Sequence, residues 1–113
     1  MAAAKYDLNM SQGSTYHRLF RYGVKGGNQI NLTGAAIYVD VLPSQQTTKT
    51  TYSTENGYVI IQNPESGEFI LDIPASVTDK FNWVKAKYQI NIRFPNGEIR
   101  RIMQGTITCD RKL

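Results

Sequence analysis

Residues 84–94 alternate in character: Tyr88, Ile90, Ile92 and Phe94 are apolar or aromatic, and Lys87, Gln89, Asn91 and Arg93 between them are polar. A period of two is that of a strand with one buried face, and a helix would instead repeat its apolar positions every three or four residues. Asn96-Gly97 follows, and residues 98–110 are again extended in character, so the spacing predicts a two-residue type I′ hairpin. Such a turn sets a register with Phe94 opposite Ile99, Ile90 opposite Met103, Ala86 opposite Ile107, and Tyr88 lying over the bare backbone of Gly105. Arg101 breaks the pattern by falling opposite Ile92. Either a bulge displaces the register there or that end of the face is an open rim.

The rest of the chain reads as shorter strands between turns. Phe69, Leu71 and Ile73 alternate through residues 67–73, and Pro74 ends that run because proline cannot donate to a ladder. Residues 57–62 form a strand between the turn signals Asn56-Gly57 and Asn63-Pro64. Residues 6–10, 15–22 and 35–42 are short and rich in aromatic or β-branched side chains. Residues 24–28 read as a turn, and residues 44–51, all polar, as the longest loop. Residues 76–81 have room for one short helical turn, with Ser76 as a cap and Asp79 three positions on. With no helix-period segment and no internal repeat, about seven strands in 113 residues describe an all-β, antiparallel, immunoglobulin-like sandwich in a single domain, residues 1–113. Hydrophobic residues at 41% supply a core, and charged residues at 19% are too few for a disordered chain.

The same inventory excludes several chemistries. One histidine, His17, and one cysteine, Cys109, do not make a zinc site. Cys109 falls on the inward row with Ile107, so a small core thiol and a surface imidazole are expected rather than a nucleophile pair. Asp40, Asp72, Asp79 and Glu98 are scattered and form no local acid-base pair. Gly26-Gly27 has no strand-turn-helix behind it to hold phosphate and reads as a turn. No catalytic, metal or cofactor residue is expected. No run approaches the roughly 20 apolar residues of a membrane span, the start lacks a signal-peptide core, and no lipidation signature is present. The lone cysteine and this start lead to an expectation of synthesis and use in the cytosol.

Basic residues gather in two places: Arg93, Arg100, Arg101, Arg111 and Lys112 on the terminal hairpin, and His17, Arg18, Arg21 and Lys25 near the start, interleaved with Tyr16, Phe20 and Tyr22. This pattern suits a stacking platform for single-stranded nucleic acid, a protein interface, or a solvated sheet face covered by long cationic side chains. The net charge of +4 is too mild to argue for nucleic acid alone. Trp83 and Phe81 precede a strand and read as a core plug ahead of a sugar-stacking platform. The interface candidates are Arg93, Arg100, Arg101, Tyr16, Arg18, Tyr22 and Trp83.

Several ordered motifs resemble those of small bacteriophage tail and baseplate proteins with immunoglobulin-like sandwiches. They are residues 6–15 (YDLNMSQGST), residues 30–34 (INLTG), Glu55-Asn-Gly57, the Ser66-Gly67 turn leading into residues 69–75 (FILDIPA), and residues 96–106 (NGEIRRIMQGT). Each motif is short, and the similarity as a whole extends from about Lys5 to Asp110. The resemblance implies a non-enzymatic virion structural protein of a tailed phage, assembled in the host cytoplasm and placed in the baseplate or at a fibre attachment point. Its partners would be other tail, baseplate or fibre proteins, with several copies in a symmetric assembly and no role for membrane or nucleic acid. Arg101 fits the Arg-x-x-Gln-Gly run of such proteins. The sequence stops at Leu113 where some relatives continue into longer receptor-binding chains, so an adaptor is expected ahead of a receptor reader. A carbohydrate-binding sandwich, with Trp83 or a tyrosine on a sugar ring, is the alternative, and single-stranded nucleic-acid binding is the weaker third.

Overall fold

The computed structural model describes residues 4–23 and 30–113. The turn expected over residues 24–28, with Lys25, Gly26 and Gly27, lies outside the described residues. Nine strands are present among the described residues: β1 (Ala4–Lys5), β2 (Leu8–Ser11), β3 (Tyr16–Arg21), β4 (Ala36–Pro43), β5 (Thr50–Ser53), β6 (Val59–Asn63), β7 (Glu68–Ile73), β8 (Lys85–Arg93) and β9 (Ile99–Asp110). The larger sheet runs β1-β9-β8-β4-β5, with β2 also on β9, and the smaller runs β3-β7-β6. The chain is an all-β sandwich. Its strand order is the immunoglobulin-like one, with β3, β7 and β6 in the places of strands B, E and D, and β4, β8 and β9 in those of C, F and G. The departure from antiparallel pairing is at the N-terminus, where β1 and β2 run parallel to β9.

Alternation builds the core as the sequence predicts. Ala86, Tyr88, Ile90 and Ile92 of β8 are buried, as are Phe69, Leu71 and Ile73 of β7, and Ile37, Val39 and Val41 of β4. These side chains meet in one cluster between the sheets. Phe20 stacks on its cross-strand partner Phe69 with ring centroids 5.3 Å apart. Cys109 is buried beside Ile107, as expected, and burial pushes its thiol pKa up.

The hairpin between β8 and β9 corrects the expected turn. A type I′ turn needs positive φ at both central residues, but of Asn96 and Gly97 only Gly97 has it, at 90°. Phe94 N–H donates to the Glu98 carbonyl at 2.8 Å and Gly97 N–H to the Phe94 carbonyl at 2.9 Å. The loop is therefore three residues, with Pro95 presetting the first φ and Gly97 taking the left-handed position. Ile99 pairs with Arg93 rather than Phe94, and Arg101 with Asn91 rather than Ile92. The register then shifts between Ile90 and Asn91. Ile102 is the extra residue of this bulge and is buried, while Arg101 turns out to solvent. The bulge cancels the one-residue offset of the loop. Ile90 consequently faces Met103, Tyr88 faces Gly105 and Ala86 faces Ile107, as expected.

Three further differences have local causes. The expected loop over residues 44–51 ends early, because Thr50 and Thr51 are β-branched and pair with Val41 and Asp40, which lets Tyr52 enter the core. The expected helical turn is Ala75–Thr78, begun by Pro74 with no side-chain cap, so Ser76 is inside it rather than capping it, and a second turn, of 3-10 type, covers Pro64–Ser66, where at most one turn is expected. Thr78, fully buried there, donates its hydroxyl to the Ser14 carbonyl at 2.8 Å and ties this turn to the β2–β3 connection. The N-terminal strand expected at residues 6–10 is split at Tyr6-Asp7, where the Asp7 carboxylate accepts Thr106 N–H at 3.0 Å.

Two glycines are fixed by close approach. A Cβ at Gly105 would collide with the Tyr6 carbonyl, the same carbonyl to which the Tyr88 hydroxyl donates. At Gly67, with φ of 69°, a Cβ would collide with the Tyr22 and Ile30 carbonyls.

Candidate functional site

The seven residues marked by the sequence fall into four places rather than one patch. Arg93 and Arg101 share the outer face of the larger sheet near the hairpin tip. Arg93 lies over the Tyr38 ring, 5.6 Å from its centroid, and 3.5 Å from the Glu55 carboxylate, which also accepts the Tyr38 hydroxyl at 2.6 Å. Arg101 is exposed and makes no ion pair among the described residues. Arg100 has the opposite parity and sits at the open end of the sandwich over the Phe94 ring. The Glu98 carboxylate, 2.7 Å away, and then the Tyr22 hydroxyl hold its guanidinium above the ordinary range.

Tyr16 and Arg18 form the third group, on the inner side of β3 at the seam between the sheets. Arg18 donates to the Tyr6 hydroxyl at 2.6 Å and lies 4.7 Å from that ring's centroid and 5.5 Å from that of Phe20. The Tyr16 hydroxyl is buried beside it with no partner within hydrogen-bond geometry among the described residues, and burial raises its pKa against the pull of the nearby Arg18. Trp83, the fourth place, is 8% exposed and stacked on Phe81 with centroids 4.9 Å apart. It is the core plug, and it stands the nine residues of β8 away from the hairpin tip, about 30 Å.

The outer face of the smaller sheet carries what sequence reasoning missed. Leu19, Ile70 and Ile60 line up in register across β3, β7 and β6, forming an apolar row over the whole width of that sheet. Leu19 and Ile60 are 49% and 48% exposed. An ion pair flanks the row on one side along the strands and a histidine–carboxylate contact on the other. On one side Arg21 meets Glu68 through two nitrogens, at 2.6 and 3.1 Å, and on the other His17 lies 3.3 Å from Asp72. An aliphatic stripe rimmed by paired polar side chains has the make-up of an interface centre and rim. Its signal in the sequence is the pair of unbroken apolar runs, residues 59–61 and 69–71, where strict alternation lapses and both faces become apolar.

The strand edges differ in how they end. β5 is four residues long, β6 has a register shift before Asn63 and runs into Pro64, and the β1–β2 edge is interrupted at Tyr6-Asp7. β3 pairs with β7 without a break through all six residues and pairs with no other strand among the described residues.

On the outer face of the larger sheet, an open groove of about 760 Å³ is lined by Lys5, Lys87, Lys49, Asp40, Gln89 and Gln104 among others. The Asp40 carboxylate is taken up internally, accepting from Thr51 at 2.7 Å and Gln89 at 3.3 Å, with Lys49 at 3.8 Å. Among the described residues, no group of three or more His, Cys, Asp or Glu side chains is placed to hold a metal ion. No helix of the described residues is long and apolar enough to cross a membrane. No protein-family model matches the chain, and no curated protein matches it in sequence.

Proposed function

We propose that this chain is a structural assembly protein that joins other protein chains, and that its setting is the tail of a bacteriophage, at the baseplate or a fibre attachment point. The observation that carries the assembly reading is the Leu19–Ile70–Ile60 row with its polar flanks, next to the unbroken β3 edge. Burying the half-exposed Leu19 and Ile60 side chains, with the partly buried Ile70 between them, contributes about 25 cal/mol per Å² of apolar surface removed from water, and the polar flanks keep the rim hydrated until docking. The phage setting rests on the ordered motifs of residues 5–110. Passive action suits this surface: shape, apolar burial and repeated copies in a symmetric ring. Cross-linking mass spectrometry of tailed particles purified from cells that produce the chain tests the reading. The expected result is stoichiometric retention with cross-links to neighbouring tail proteins, and a chain absent from the particles and cross-linked to nothing would end it.

A second reading is favoured by the groove on the larger sheet. Its amide Gln104 and the lysines Lys5 and Lys87 are groups that hydrogen-bond saccharide hydroxyls, so host-surface carbohydrate is the alternative ligand. Trp83 takes no part in it, being buried. Silence on a glycan array would remove it, and single-stranded nucleic acid would be recognised instead by affinity that falls steeply with salt.

A further inference from the structure

We infer that β3 is the docking edge for a strand of a partner protein: an extended segment, added antiparallel to β3, that seats a carboxylate on Arg18 and an apolar side chain beside Leu19. The inference rests on the assembly reading above and names its partner's chemistry.

Each part of this follows from β3 itself. Edge strands offer unpaired N–H and C=O groups to any chain that can align with them, and folds blunt such edges by shortness, bulges, proline or interruption. The other edges have these devices: β5 is short, β6 is shifted and followed by Pro64, and β1–β2 is interrupted. β3 has six residues in continuous register, Tyr16-His-Arg-Leu-Phe-Arg21, without glycine or proline. It belongs to a sheet in which every pairing is antiparallel. An added strand would continue the row Ile60–Ile70–Leu19 by one more apolar side chain on the outer face, extending a surface already present.

Charge selects the occupant. β3 carries His17, Arg18 and Arg21 and no acidic residue. His17 and Arg21 already face Asp72 and Glu68 on β7. Arg18 has no carboxylate partner among the described residues and spends one nitrogen on the Tyr6 hydroxyl. It stands at the seam with the buried Tyr16 hydroxyl beside it. By strand parity, the residue that an added chain places opposite Arg18 points into this seam, while the residue opposite Leu19 points outward. A glutamate at the first position would complete a charge-assisted pair with Arg18, and valine or isoleucine at the second would meet Leu19.

The probe is a fluorescent, end-capped peptide, Gly-Thr-Ile-Val-Glu-Thr-Thr-Gly, whose valine falls opposite Leu19 and glutamate opposite Arg18. Fluorescence anisotropy gives its affinity for the full chain, and hydrogen exchange gives the site. The expected result is binding that protects amides of residues 16–21 and leaves β5 and β6 unchanged. Binding should fall about tenfold or more when the valine nitrogen is methylated, when lysine replaces the glutamate, or when Arg18→Gln is introduced, each removing one hydrogen-bonded or charged contact. Arg18→Lys should recover part of the loss, which separates charge from folding, and circular dichroism of each variant checks the fold. No binding, equal binding of the methylated peptide, or protection at β5 or β6 would overturn the inference. A chain that cross-links to tail proteins through other surfaces while β3 takes no peptide leaves the assembly reading standing and this inference refuted. Peptide binding by a chain with no partners in particles would do the reverse.

Discussion

The two sheets use the same strand grammar to opposite ends. On the larger sheet, the outer face between β4, β8 and β9 is polar and largely self-satisfied: Asp40 gathers Thr51, Gln89 and Lys49, and Arg93 closes on Glu55. On the smaller sheet, the outer face has the Arg21–Glu68 ion pair on one flank and the His17–Asp72 contact on the other, and leaves Leu19 and Ile60 half-exposed on either side of the partly buried Ile70. Charge density along the chain therefore does not locate the exposed aliphatic row. Arg101 on the larger face has no ion pair among the described residues, but an exposed charge is already solvated and gains only about 0–1 kcal/mol from a partner, whereas exposed aliphatic area recovers free energy when something covers it.

The largest expected effects lie where backbone approaches backbone, and they differ between the regions in kind. Gly105→Ala should destabilise the fold by about 3 kcal/mol or more in thermal or denaturant unfolding, because the new methyl meets the Tyr6 carbonyl and the N-terminal crossing must shift. Gly67→Ala should cost a similar amount at the end of the smaller sheet, from the left-handed backbone together with the clash on the Tyr22 carbonyl.

Within β7 the comparison is sharpest between neighbours. Leu71→Ala should lose about 2–5 kcal/mol, since Leu71 is fully buried. Ile70→Ser, one residue away on the outer face, should change stability by less than about 1 kcal/mol while reducing retention in assembled particles. If Ile70→Ser unfolds the chain, the outer row is structural and the contrast between the sheets collapses.

Smaller effects follow from two buried tyrosines. Tyr52 and Tyr88 both have pKa values pushed up to about 12, by burial first, with Tyr58 adding at Tyr52 and Tyr16 at Tyr88. A raised folded-state value favours the protonated phenol, so their contribution is fully present below about pH 10, the ordinary tyrosine value, and is lost as pH rises toward about 12. Unfolding followed against pH, with tyrosinate absorbance, should show stability declining over that window. Tyr88→Phe should flatten part of the decline and cost about 1 kcal/mol at neutral pH through the lost bond to the Tyr6 carbonyl. Smallest of all, Arg93→Ala should change stability by about 0.5 kcal/mol or less, as an exposed pair.

How much of this was legible varies by residue. The alternation from Lys85 to Arg93 gives the strand, its buried face and most of its register, because period two leaves no other arrangement. The loop and the bulge were not separable: each shifts pairing by one residue, their sum is zero beyond Ile90, and only the odd position of Arg101 betrayed them. The strand Thr50–Ser53 hid in a run of polar β-branched residues, whose preference depends on a neighbouring strand that sequence does not place. The candidate site was the least legible. Clustering along the chain put Arg93, Arg100 and Arg101 together, but strand parity sends Arg100 to one side and the other two to another. Trp83 was legible as a plug. The Leu19–Ile70–Ile60 row joins single residues from three strands, so it exists only once the pairing is known.

The most direct test of the central claim places a benzophenone side chain at Ile60 in one variant and at Arg101 in another, both incorporated into tailed particles and irradiated. Efficient cross-linking to another protein chain from position 60, with little from position 101, is the result the smaller sheet's outer face predicts. Cross-linking from position 101 alone, or none from position 60 in particles that retain the chain, would contradict it.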